Sequence, residues 1–120
     1  MSRVLIVEDA PYIREVFRDA LELHNHVIAG EAVNGVEAID KYRALKPDIV
    51  LMDLLMPVMD GISAIRNIIE FDSKAKIVVV SAITKRSIRD EAMGAGAIDF
   101  VAKPFEIQRL LEAISDASAA

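Results

Sequence analysis

Short Val- and Ile-rich runs alternate along this chain with longer amphipathic stretches, and that alternation limits the fold more than any other feature. The runs lie at Arg3–Val7, Val27–Glu31, Asp48–Met52, Lys76–Ser81 and Ile98–Ala102. Several are almost continuously apolar, which suits parallel strands covered on both faces. Between them helical spacing returns. From Pro11 to about Leu23 it places Ile13, Val16, Phe17, Ala20 and Leu21 on one side, with Pro11 at a first helical position, where its missing N–H is not needed. Asn34 is a good N-cap for a second helix that turns Val36, Ile39 and Tyr42 inward and stops at Pro47. A third helix, Gly61 to Phe71, buries Ile62, Ile65, Ile68 and Ile69. The fourth follows Thr84, with Gly94 and Gly96 as its C-terminal punctuation. The last is expected to begin at Pro104 and to carry Ile107, Leu110, Leu111 and Ile114 inward.

Strands alternating with helices in this way imply an α/β fold: an open parallel sheet of five strands with helices on both faces. The length of 120 residues fits one domain, 1–120, and the 53% of apolar residues suffices for a core without disulfides. No cysteine is present, which excludes thiol chemistry and Cys-ligated zinc and is compatible with a reducing compartment. The net charge of -5 argues against nucleic-acid binding, where a basic footprint is expected. Neither a secretory signal nor an apolar stretch of membrane-spanning length occurs, so a cytoplasmic monomer that avoids membranes is expected.

Ligands of such sheets bind outside the carboxyl ends of the strands. Here the first strand finishes in Glu8–Asp9, the third in Asp53 and the fourth in Ser81, and the fifth is followed by Lys103–Pro104. Three carboxylates in one crevice repel one another unless a hard cation sits among them. Magnesium suits that arrangement, taking one or two carboxylates plus waters and phosphate oxygens. Lysine adds a point charge for phosphate and serine a donor. A carboxylate nucleophile, a metal and a cation together describe phosphoryl transfer to aspartate. Taken singly, Asp9 reads as a helix cap, Lys103 as a solvated surface residue and Ser81 as a loop hydroxyl. Asp53 is harder to dismiss, because it ends the apolar run Ile49–Met52 and precedes Leu54-Leu55-Met56-Pro57, where an idle carboxylate is costly.

The segments Val4-Leu-Ile-Val-Glu-Asp9, Pro47-Asp-Ile-Val-Leu-Met-Asp-Leu-Leu-Met-Pro57 with Asp60-Gly61, and Ala95-Gly-Ala-Ile-Asp-Phe-Val-Ala-Lys-Pro-Phe105 resemble the response-regulator receiver family, and within it the stand-alone chemotaxis regulators. The resemblance covers nearly the whole chain in order. It implies the strand order 2-1-3-4-5, which spacing alone does not give. It also implies a phosphorylation-activated regulator of a two-component, chemotaxis-type system: a self-catalysing switch rather than an enzyme acting on a separate substrate. A histidine kinase would be its phosphodonor, and a phosphorylation-dependent target, a motor or another effector, would meet the face of the fourth helix, fifth strand and fifth helix. Asp53 would be the phosphoacceptor. Asp9, Asp53 and the Leu55 backbone carbonyl would ligate Mg2+ or Mn2+, with Glu8 acting through metal-bound water. Lys103 would contact the phosphoryl oxygens, Ser81 would move to hydrogen-bond them, and Phe100 would be an aromatic switch that turns inward as Ser81 moves. The bond before Pro104 would be cis.

Three departures from the family's habit stand out: Glu8 stands in place of Asp, Leu55 and Ile83 are apolar where many relatives are polar, and Phe100 lacks a hydroxyl. A long-lived phosphoryl group is the expectation from Leu55 and Ile83. Two narrower readings remain beside the main one, a receiver-like protein-binding module that is not phosphorylated and a receiver excised from a longer regulator. A flavin carrier would need a Ser/Thr/Gly-rich phosphate loop where Glu8-Asp9-Ala10-Pro11 stands, and a haloacid-dehalogenase hydrolase needs an Asp-x-Asp after the first strand. His24 and His26 read as a solvated turn, and Met52, Met56, Met59 and Met93 as packing. Lys85, Arg86 and Arg89 put three cations at the start of the fourth helix, where they oppose its macrodipole and offer an acidic partner a contact.

Overall fold

Alternate side chains of each central strand enter different layers, and this sorts the core into two halves. The computed structural model describes residues 1–120. Its elements are β1 (Arg3–Val7), α1 (Pro11–Leu23), β2 (Val27–Ala32), α2 (Gly35–Leu45), β3 (Ile49–Met52), α3 (Gly61–Phe71), β4 (Ile77–Ser81), α4 (Arg86–Ala95), β5 (Asp99–Ala102) and α5 (Ile107–Ala119). Leu5, Val7, Val50, Met52, Ile77 and Val79 pack with side chains of α2, α3 and α4, while Val4, Ile6, Ile49, Leu51, Val78 and Val80 pack with α1 and α5. That is the period of two of a strand wetted on neither face. All strand pairs are parallel, in the order β2-β1-β3-β4-β5. β1 and β3, adjacent in the middle of the sheet, therefore deliver Glu8–Asp9 and Asp53 side by side.

Several helix ends follow their residues. Asn34 caps α2 by accepting from the Glu37 N–H at 2.9 Å. Lys46 closes α2 in the left-handed conformation just before Pro47. Asp60 caps α3 through the Ser63 N–H at 2.8 Å. Other expectations are corrected. α5 starts at Ile107 rather than Pro104, because Phe105 turns in to stack on Phe17, with ring centroids 5.4 Å apart, and holds the chain off the helical path. Gly94 lies inside α4, and Gly96, at φ 128°, makes the cap alone. α4 begins at Arg86, one residue later than Thr84 would cap it, with Lys85 at the cap position and no side-chain cap bond. Val36, Ile107 and Met93, expected inside, are each about two-fifths exposed. Val36 and Ile107 sit in the first turns of α2 and α5, before those helices settle on the sheet.

Candidate functional site

The acids, the hydroxyl and the lysine converge on the carboxyl edge. Glu8 continues β1 and is tied to β2 by its N–H on the Ala32 carbonyl at 2.9 Å; Asp53 continues β3 with its N–H on the Val7 carbonyl at 3.0 Å. These ladder bonds bury both carboxylates, leaving Glu8 1% and Asp53 7% exposed, while Asp9 stays open to solvent. One oxygen from each of the three lies within 4.8 Å of the others. Lys103 reaches in from beyond β5, its Nζ 2.6 Å from Glu8 Oε1 and 3.8 Å from Asp53 Oδ1. The buried Ser81 ends β4 and accepts the Ile83 N–H at its Oγ, 3.1 Å away. Its carbonyl takes the Lys103 N–H at 2.8 Å, which ties the serine's strand to the lysine's.

Burial opposes ionisation of both buried acids, with opposite outcomes. For Glu8 the desolvation is outweighed by the Lys103 ammonium and by the Ala10 N–H, so its carboxyl is held below the usual value. Asp53 is pushed up to about 7, by burial first and then by the charge of Glu8, against weaker help from Lys103 and the Leu54 N–H. One ammonium reaches two of the three carboxylates, and the edge is short of positive charge.

The donor set suits a hard dication. It offers clustered oxygens and no nitrogen or sulfur, and the Leu55 carbonyl, two residues along the chain from Asp53, accepts no hydrogen bond from the protein. Gly61 is a functional position that composition does not flag. A Cβ there would stand 2.1 Å from the Asp53 carbonyl oxygen, so only glycine lets the β3–α3 loop close over the aspartate. Leu55, 63% exposed, and the half-buried Ile83 line one shallow groove with Leu54, Asp60 and Ile88, and none of the three clustered acids forms part of its wall.

A model of the response regulator receiver domain matches residues 4–115. The chain belongs to that family. This receiver is 49% identical over 115 residues to Protein CcdB of Bacillus subtilis, covering 96% of each chain. It is 48% identical over 117 residues to Chemotaxis protein CheY of Thermotoga maritima, covering 98% of each. Its fold matches a chain of the crystal structure of the CheX-CheY-BeF3-Mg+2 complex from Borrelia burgdorferi with a TM-score of 0.92 at 32% identity, over 95% of this chain and 87% of that one. It is thus a CheY-like receiver of the two-component kind, a switch module rather than a conventional enzyme. No helix of the receiver is long and apolar enough to cross a membrane.

Two expected residues behave otherwise than expected. Phe100 is already inside, 4% exposed, with the Arg89 guanidinium over its ring at 5.5 Å. Without a hydroxyl the ring has no polar tip to keep in water, so the expected inward turn has no outward starting point here. His26 is more than a solvated residue of a turn: its Nδ1 accepts the Ser2 N–H at 3.2 Å. His24 is exposed, and neither histidine joins the acidic cluster. The Lys103–Pro104 bond is cis.

Proposed function

We propose that this receiver takes a phosphoryl group from a histidine kinase onto Asp53, with Mg2+ or Mn2+ at the acid cluster, and passes the signal through the face of α4, β5 and α5. The observation that carries this reading is the buried Asp53 carboxylate, 3.8 Å from one ammonium and grouped with two further acids that this ammonium cannot neutralise. A carboxylate oxygen of Asp53 attacks the phosphorus of phosphohistidine in line. The P–N bond breaks, its electron pair stays on the imidazole nitrogen, which takes a proton, and the O–P bond of an acyl phosphate forms. A divalent cation, held by Asp9, Asp53 and the Leu55 carbonyl with Glu8 acting through water, would supply the charge that keeps Asp53 ionised and stabilises the transferring oxygens. Lys103 exchanges its bond with Glu8 for one with a phosphoryl oxygen, and the Ser81 hydroxyl turns from the Ile83 N–H to do the same. The resulting pull on the β4–α4 connection reaches an α4 whose first turn has no side-chain cap.

Hydrolysis needs a water aligned behind the phosphorus, and Leu55 and Ile83 offer no group to hold one there. The acyl phosphate is therefore long-lived. Intact-mass spectrometry of the chain treated with acetyl phosphate tests the assignment. One phosphoryl adduct is expected, dependent on magnesium and absent from Asp53→Ala; equal labelling of that variant would falsify the reading.

A further inference from the structure

The turn that presents Glu8 and Asp9 has little of its own to hold it. The β1 ladder ends at Val7, and the last main-chain tether beyond it is the Glu8 N–H on Ala32. Ala10 caps α1 without a side-chain bond, and Pro11 brings no N–H. The carbonyls of Glu8 and Asp9 thus lie outside both the sheet ladder and the helix. Both are taken up by one guanidinium, Arg14 Nη1 donating to the Glu8 oxygen at 2.8 Å and to the Asp9 oxygen at 3.2 Å. Arg14 is pinned from the opposite side, its Nε 3.3 Å from Glu31 Oε1 on β2. Glu31 is itself fixed by two bonds of 3.0 Å from Arg18, and Lys41 of α2 donates to its carbonyl. Arg18 above all, aided by Arg14, keeps the Glu31 carboxyl below its usual value, so this anchor stays charged.

We propose that Arg14, held by Glu31, is a positioning residue that fixes the Glu8–Asp9 turn in the geometry a divalent cation demands. The inference rests on the reading of the acid cluster as a cation site. Its logic is in which oxygens the guanidinium uses. Arg14 bonds the carbonyls of the two acids and neither of their carboxylates, so it orders the backbone without occupying the site. Magnesium tolerates little error in oxygen placement, and outer-shell partners of this kind are worth roughly 10–100-fold in metal affinity. Asp9 depends on it most, since its exposed side chain makes no hydrogen bond to a neighbour that would hold it in place.

Two plainer roles make different forecasts. If Arg14 merely anchored α1 to β2, its loss would lower stability and leave the affinity of the folded chain alone. If its charge were what mattered, removing a cation beside three acids would tighten magnesium binding. Calorimetric titration of magnesium into the full chain, with urea midpoints measured in parallel, separates the three. Arg14→Met is expected to weaken binding about tenfold or more. Arg14→Lys keeps the charge, but one ammonium on a flexible stem cannot bond both carbonyls and also keep the separate Nε contact to Glu31 that holds the guanidinium in place, and it should weaken binding by about threefold or more. Arg18→Met breaks the Arg18–Glu31 pair but spares both the Arg14–Glu31 contact and the Arg14–carbonyl bonds; it should cost stability while affinity stays within about twofold. Should Arg14→Met not fold, Arg14→Lys carries the test. Wild-type binding with unchanged or tighter binding by the Arg14 variants, or an equal loss in Arg18→Met, overturns the inference alone. A wild-type chain that takes up no magnesium overturns the cation-site reading, and this inference with it.

Discussion

The two ends of the sheet solve the same problem in opposite ways. Strand ends expose polar groups that must be satisfied, and at the amino edge they are matched one to one. Asp48 accepts the Arg3 N–H at 2.7 Å, the Arg3 guanidinium donates to the carbonyls of Lys46 and Leu45, Ser2 and Ser118 share a hydroxyl bond of 2.7 Å, and Tyr42 donates its phenol to Asp72 at 2.8 Å. The phenol's pKa is raised by burial and by that acceptor, and the carboxyl of Asp72 is lowered by it, so each partner reinforces the protonation state of the other. At the carboxyl edge three carboxylates cluster with one ammonium that reaches only two of them, and one of the three resists ionisation. Matching makes an edge stable and inert. Mismatch leaves an edge less stable alone and able to gain from a cation or a phosphoryl group.

Lys103→Ala should have the largest effect, removing the one counter-ion and leaving Glu8 buried and unpaired, at a cost of about 3 kcal/mol without metal. Urea titration should show magnesium restoring much of that loss; a loss insensitive to magnesium would mean that the edge is not short of positive charge. Next is Asp53→Asn. The folded, metal-free chain holds the Asp53 proton up to about pH 7, whereas an unfolded chain releases it near pH 4. Between those values the native state binds the extra proton, so its stability falls as pH rises through the window and is lowest above it. The amide should therefore stabilise the metal-free protein by roughly 2 kcal/mol near pH 8, with the gain shrinking as the pH approaches 4. A pH-independent difference between the two chains would remove the electrostatic explanation. At the matched edge, Tyr42→Phe should cost about 1 kcal/mol and leave magnesium binding unchanged. A change in metal affinity there would show that the two edges are not independent. The smallest effect concerns the α4 start, where Lys85, Arg86 and Arg89 oppose the macrodipole. Lys85→Glu with Arg89→Glu should weaken an acidic, phosphorylation-dependent partner several-fold at low salt and hardly at all at high salt, each charge being worth about 0.3–1 kcal/mol. Affinity indifferent to both charge and salt would place the output surface elsewhere.

The strands and the converging acids could be read in advance because their signals are local. Ile49–Met52 is apolar throughout and Asp53 follows it, so both the buried strand and the costly carboxylate appear in one short window. The missed features depend on distant partners. Nothing near Arg14 marks it as the group that would bond the Glu8 and Asp9 carbonyls, because backbone acceptors leave no trace in side-chain type. The α5 start depends on Phe105 finding Phe17, and the reason for Gly61, whose place in the motif was legible, on how closely its loop meets the Asp53 carbonyl. The rest position of Phe100 depends on an arginine eleven positions before it. Gly94 misled for the opposite reason: it has the residue type of a helix end, but no backbone geometry requires it, since a Cβ there would meet nothing within 4 Å.

The two-layer alternation of β3 also constrains how this chain can change in length. Val50 and Met52 face one half of the core and Ile49 and Leu51 the other, in register with Val4–Val7. A single inserted residue would turn the part of the strand beyond it to the wrong face and slide Asp53 about 3.3 Å past Glu8. A deletion would do the reverse, whatever residue was removed. An inserted residue in the exposed turn at His24–Asn25 would disturb neither relation, since that turn lies outside the ladder and away from the acids. For this strand, then, residue number is inherited under tighter control than residue identity: β3 is a ruler as well as a wall.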